Sequence, residues 1–140
     1  MDNDFEHPDV DALIQMQAQL LSLYGGAPGL RDEGALEAAL ARPRNLLSYG
    51  DDDVSVPRPA AAIAYSLCRI RHPFVDGNKR IAFAALVVTL DMNGYVLDAS
   101  EKQAADTVIA VASGEIGEDD FVAWVTANSV PASYYGSDDR

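Results

Sequence analysis

The chain has 140 residues, which suits one domain able to bury roughly 70% of its unfolded surface without disulfide or metal staples. Hydrophobic residues make up 49%, which excludes wholesale disorder, and a formal charge of −12 opposes binding to nucleic-acid phosphates and anionic membranes. The single cysteine, Cys68, excludes an internal disulfide, and the longest apolar run, Ile81 to Leu90, is too short to span a bilayer.

Met1 to Glu6 is acidic and lacks the apolar run of a signal peptide, so a cytoplasmic location is expected. Residues 1–8 read as a flexible N-terminus, 9–128 as the domain, and 129–140 as a flexible, patternless tail. Val10, Leu13, Ile14, Leu20, Leu21 and Tyr24 fall at helical spacing, and Gly25-Gly26 ends that helix. Asp32 caps a second helix with Leu36, Ala39 and Leu40 inward, and Pro43 is expected to stop it.

Residues 43–58 carry no helical period. Tyr49 to Asp53 reads as a turn and Val54-Ser55-Val56 as a very short strand, together a small β-like flap. Asp51-Asp52-Asp53 is not an EF-hand loop, because Val56 stands where the loop needs glycine. A third helix begins near Pro59, with Ala60, Ile63, Ala64 and Leu67 on one side, and His72-Pro73 breaks it.

A fourth helix opens at Asp76 to Asn78. Ile81 to Val88 is apolar on all sides, which makes this helix the expected buried centre of the domain. A buried strand is the alternative; three alanines, the length, and Asn93-Gly94 as a stop favour the helix. Ser100 and Gln103 form a capping-box signature for a fifth helix with Ala104, Ala105, Val108, Ile109 and Ala112 inward. Gly114 ends it, and Phe121, Trp124 and Val125 mark a sixth. The fold class is all-α: a single-domain helical bundle around a central apolar helix, with a small β-like flap.

The chemistry concentrates between Arg69 and Arg80. Four of the ten basic residues (Arg69, Arg71, Lys79 and Arg80) lie there, beside a turn that leads into a helix N-terminus. Free backbone N–H groups and the positive end of the helix dipole favour phosphate at such a place. Gly77 lets the backbone approach a ligand, Lys79 supplies a point charge, and Arg80 supplies a planar fork for phosphate oxygens. Asp76 is an oxygen ligand suited to Mg²⁺, and His72 is the side-chain type that most often serves as a base.

By itself His72 reads as a satisfied loop histidine; the spacing of Asp76, Lys79 and Arg80 behind it is what makes it a candidate base. Arg69 and Arg71 read equally as ligand contacts or as surface charges near a helix end. Cys68 reads as a buried small residue, and Gly25 to Gly29 lacks the Gly-Lys-Ser/Thr ending of a phosphate-binding P-loop.

His72-Pro73-Phe74-Val75-Asp76-Gly77-Asn78-Lys79-Arg80 resembles the signature of the Fic/Doc superfamily, and Lys79 resembles the Doc (death-on-curing) branch. Gly25 to Gly34, Leu36 to Pro43, Met92 to Tyr95 and the helix ending near Trp124 read like the same family, so the resemblance covers about residues 10 to 127. The resemblance implies an all-helical fold whose motif bridges two helices. It also implies phosphorylation of a translation elongation factor by a type II toxin, with ATP as donor and Mg²⁺ as cofactor. His72 is then the base, Asp76 the metal ligand, and Asn78, Lys79 and Arg80 the phosphate binders, with residues 43–58 as the flap that receives the target.

Two departures separate the chain from AMP-transferring relatives. Lys79 stands where those usually have glycine, and Phe83 where they have a second phosphate-binding arginine. In Doc the same exchange goes with a flipped nucleotide that presents its γ-phosphate. Phosphate transfer is therefore the expectation, with AMP transfer as one alternative and a catalytically inactive binding module as another. Some relatives carry an internal inhibitory helix marked by Ser/Thr, three residues, Glu and Gly/Asn. Here only Glu33-Gly34 could end such a motif, and Gly29 stands where it would begin. The resemblance thus implies an external partner, a small antitoxin protein.

Overall fold

Six α-helices make up most of the computed structural model, which describes residues 5–48 and 56–135, with the backbone alone described for 44–48 and 135. Helix α1 (Val10–Tyr24) is capped by Asp9, whose carboxylate accepts from the Ala12 N–H at 2.8 Å, and it ends at Gly25 with φ +82°. Asp32 caps α2 (Glu33–Ser48) in the same way, accepting from the Ala35 N–H at 3.1 Å.

Pro43 does not stop α2: the helix runs through it to Ser48. Its ring is fully buried, and this packing offsets the loss of one backbone hydrogen bond. Residues 43–48 are therefore helical rather than part of a flap. Residues 49–55, with most of the expected turn and strand, lie outside the described residues. Val56 is helical in backbone, at φ −55° and ψ −41°, and leads directly into α3 (Pro57–Tyr65). Pro57 and Pro59 suit the first turn of α3, where the N–H groups they lack have no helical partner.

The central helix is α3, not the one expected. Pro57 and every residue from Pro59 to Ala64 are buried, and α3 packs against α2, α4 and α6. Its alanines let the neighbouring helices approach closely. By contrast α4 (Asn78–Met92) buries one face, with Ile81, Ala82, Ala85, Leu86, Thr89 and Leu90, while Val87 stays exposed. An all-apolar run marks a helix without a polar face; it does not by itself decide which helix is buried all round.

The capping box of α5 (Glu101–Ser113) forms as expected: Ser100 Oγ accepts from the Gln103 N–H at 3.0 Å, and Gln103 Oε1 from the Ser100 N–H at 3.1 Å. Its inward stripe is Ala104, Val108 and Val111; Ala105 and Ile109, expected inward, are exposed. Helix α6 (Glu118–Ala127) buries Phe121 and Val125, and Trp124 stacks on Phe121 at 6.4 Å between ring centroids.

The β structure described lies elsewhere than expected. Strand β1 (Tyr95–Leu97) pairs antiparallel with β2 (Ser129–Pro131), Val96 opposite Val130. The segment expected as a loose tail from Ser129 thus adds a strand and a 3₁₀ turn, Ala132–Tyr135. The N-terminal segment is also pinned: Asn93 accepts from the Glu6 N–H at 2.9 Å and donates to the Glu6 carbonyl at 2.7 Å, while Phe5 packs on the core. Among the described residues, no helix is long and apolar enough to cross a membrane.

Candidate functional site

The motif sits where α3 gives way to α4. Helix α3 continues into a π-helical turn, Ser66–Ile70, closed by the Arg71 N–H donating to the Ser66 carbonyl at 2.8 Å. Such turns insert a residue into the helical register and often lie at functional sites. Here the turn leads into His72, which has φ +47°, the one positive value among the described non-glycine residues. Non-glycine residues reach this region at a cost of about 1–3 kcal/mol and stay there when their surroundings hold them.

Two contacts do the holding. His72 Nε2 lies 2.9 Å from the Cys68 carbonyl oxygen, and Arg31 Nη2 donates to the His72 carbonyl at 2.7 Å. A carbonyl only accepts, so Nε2 must carry the proton, and in neutral imidazole Nδ1 then carries the lone pair. His72 is half-buried, which leaves it open to an incoming group. Beneath it, burial raises the Cys68 thiol to about 11, so Cys68 is a packing residue rather than a nucleophile.

The loop from Gly25 to Asp32 braces the motif loop from below. The Arg31 and Asp32 N–H groups both donate to the Pro73 carbonyl, at 2.8 and 3.0 Å, and the Val75 N–H donates to Gly29 at 3.0 Å. Leu30 and Phe74 form an isolated antiparallel bridge. The Phe74 ring, 2% exposed, is sunk in the core. Asn78 clamps the same residue: Oδ1 accepts from the Phe74 N–H at 3.0 Å, and Nδ2 donates to the Phe74 carbonyl at 2.9 Å. The Asn78 side chain, expected on a phosphate, is therefore engaged in shaping the loop.

Gly77, the residue before α4, has φ +80° and no side chain to cap the first-turn N–H groups. Asp76 lies beside it with Oδ1 accepting from the Gly77 N–H at 2.9 Å and Oδ2 from the Ala27 N–H at 3.2 Å. Both bonds orient the carboxylate, and Asp76 remains exposed. Lys79 and Arg80 are exposed in the first turn of α4. The Arg80 guanidinium stacks on Tyr24 at 4.9 Å from the ring centroid.

The structure thus brings His72, Asp76, Gly77, Lys79 and Arg80 to one loop–helix junction and seals none of them inside. Arg69 is not among them. Its guanidinium lies against Gly114, where a cation suits the C-terminus of α5. Sequence reasoning missed Arg31 and Gln17. Arg31 carried no signal, but Gln17 sits one helical turn after Leu13 on the buried stripe of α1, where a polar residue asks for a reason.

Gly77→Ala is expected to destabilise the chain by about 1–2 kcal/mol. The added Cβ would need a positive φ and would meet Gln17 Nε2 at 3.0 Å. Urea unfolding checks this, and stability equal to that of the parent chain would reject the strained geometry.

Three similarities accompany this geometry. A family model described as Fic/DOC matches residues 7–90. The chain is 41% identical over 105 residues to Toxin Doc of Mycolicibacterium smegmatis, covering 71% of this chain and 78% of the relative. It is 32% identical over 111 residues to Protein kinase doc of Escherichia phage P1, covering 79% and 85%.

Proposed function

The chain belongs to the Fic/DOC family, on its Doc-like branch, and from that premise we propose that it is a toxin-like protein kinase. It transfers the γ-phosphate of ATP to a Ser/Thr hydroxyl of a protein target, a translation elongation factor, in a type II toxin–antitoxin system. A small antitoxin protein is its neutralising partner, and such a target places the reaction in the cytoplasm.

The observation that carries this reading is the pairing of a half-buried imidazole, oriented by its Nε2 on the Cys68 carbonyl, with an uncapped helix start bearing an oriented carboxylate and two cations. A base for the hydroxyl proton and a cradle for phosphate are the two things phosphoryl transfer needs from a protein. The Asp76 carboxylate fits Mg²⁺, because its two backbone bonds leave lone pairs facing solvent and this ion needs few protein ligands. Bound there, Mg²⁺ would supply charge neutralisation at the phosphate oxygens.

The chain's own residues do the rest. His72 Nδ1 takes the proton of the target hydroxyl as its oxygen bonds to the γ-phosphorus. The bond from the γ-phosphorus to the bridging oxygen breaks, and ADP leaves. Lys79, Arg80 and the first amides of α4 hold the phosphate oxygens that carry the charge. Phe83, half-buried against the core, supports phosphate over AMP transfer, because it brings no second cation to the cradle. The word kinase in the name of the phage P1 relative supports it too.

Incubation with a purified elongation factor and ATP labelled at the γ-phosphate should label the factor. Label arriving from the α-phosphate would replace the kinase with an AMP-transferase. No label from either position, with the fold intact, would favour an inactive binding module. Intact mass of the target gives an independent check, since phosphate and AMP differ greatly in added mass.

A further inference from the structure

We propose that Gln17, on α1, is a positioning residue that locks the peptide between Asp76 and Gly77 in the orientation the phosphate cradle requires. The inference rests on the functional reading above. Gln17 is 4% exposed, and its Nε2 donates to the Asp76 carbonyl at 2.6 Å across 59 residues of chain. Its Oε1 is buried without a partner.

The peptide is planar and trans, so its C=O and N–H point in opposite directions. Drawing the Asp76 carbonyl onto Gln17 therefore turns the Gly77 N–H the other way, onto Asp76 Oδ1 at 2.9 Å. Glycine at position 77 permits the opposite orientation as readily. A flipped peptide would remove one of the two bonds that aim the Asp76 carboxylate. It would also turn a carbonyl oxygen away from Gln17 and toward the anion.

A purely structural role explains Gln17 poorly. A carboxamide buried with one oxygen unpaired is a poor choice for stability, and an unbranched apolar side chain of similar length would pack without that penalty. Such a compromise is expected where a site needs a particular donor.

The test is Gln17→Met in the full chain. The melting temperature should stay level or rise, while affinity for Mg²⁺ with ATP, read by calorimetry, should fall roughly 10- to 100-fold, the range for partners that orient a metal ligand. In ¹⁵N spectra without ligand, the Gly77 amide should shift and lose protection from exchange. A lower melting temperature with unchanged affinity and an unchanged Gly77 amide would make Gln17 structural and overturn the proposal. Should the methionine variant not fold, Gln17→Glu serves: it keeps the shape and donates only when protonated. Its affinity should fall relative to the parent chain as pH rises, and parallel pH profiles would overturn the proposal. If the parent chain binds no Mg²⁺ with ATP, the kinase reading fails, and the Gly77 amide alone then decides whether Gln17 holds the peptide.

Discussion

Replacing His72 by alanine is expected to lower phosphate transfer by roughly 10²- to 10⁴-fold, the usual loss for a general base, with little loss of stability. The small stability effect follows from the backbone. His72 is held at φ +47°, a strain that arises from its Cβ and that alanine keeps. What alanine loses is the part-buried contact from Nε2 to the Cys68 carbonyl, worth about 1 kcal/mol. His72→Gly separates the two. Glycine adopts this φ without strain and should be more stable than the alanine variant by about 1 kcal/mol, while transferring no better. Urea unfolding and γ-phosphate transfer, measured on both variants, form the test. Transfer by either within a few-fold of the parent chain would remove His72 from the reaction and with it the base.

Asn at the same position sharpens the argument. It tolerates a left-handed backbone better than most residues, but its amide cannot take a proton at neutral pH. His72→Asn should therefore fold like the parent chain and transfer like the alanine variant.

The junction was legible in the sequence because its parts are close in the chain. His72, Asp76, Gly77, Lys79 and Arg80 span nine positions, and a turn into a helix puts such neighbours on one surface without help from distant residues. Helix boundaries with local causes were legible too: the Asp32 cap, the Ser100–Gln103 box and the Gly114 stop each act within one turn. What escaped was set by tertiary packing. Pro43 should break a helix by local rules, yet burial of its ring keeps α2 intact. The tail after Ser129 shows no pattern until β1 offers it an edge. The bonds from Gln17 and Arg31 to the motif loop cross 59 and 41 residues, and no local spacing announces a contact of that range. Asn78 lies at the junction, and the orientation of its side chain depends on whether a backbone partner or a ligand claims its amide.

The residue that ties stability to chemistry is Phe74. Phe74→Ala is expected to cost about 3–5 kcal/mol, a large part of the roughly 5–15 kcal/mol that holds a domain of ordinary stability. The ring is 2% exposed and belongs to the buried core cluster beneath the motif, so its removal leaves a cavity there. The consequence should reach beyond folding. Phe74 carries the backbone groups that Asn78 grips on both sides, and it faces Leu30 across the isolated bridge. With the ring gone, His72 and Asp76 remain in the chain, but the loop that fixes their relation loses its anchor. Transfer per folded molecule should therefore fall as well, at a temperature where unfolding curves show the variant still native. Phe74→Leu, which refills most of the volume, should recover much of both losses. A Phe74→Ala chain that unfolds early yet transfers phosphate normally while folded would show that Asn78 and the Gly25–Asp32 loop suffice to hold the motif. The ring would then serve the core alone.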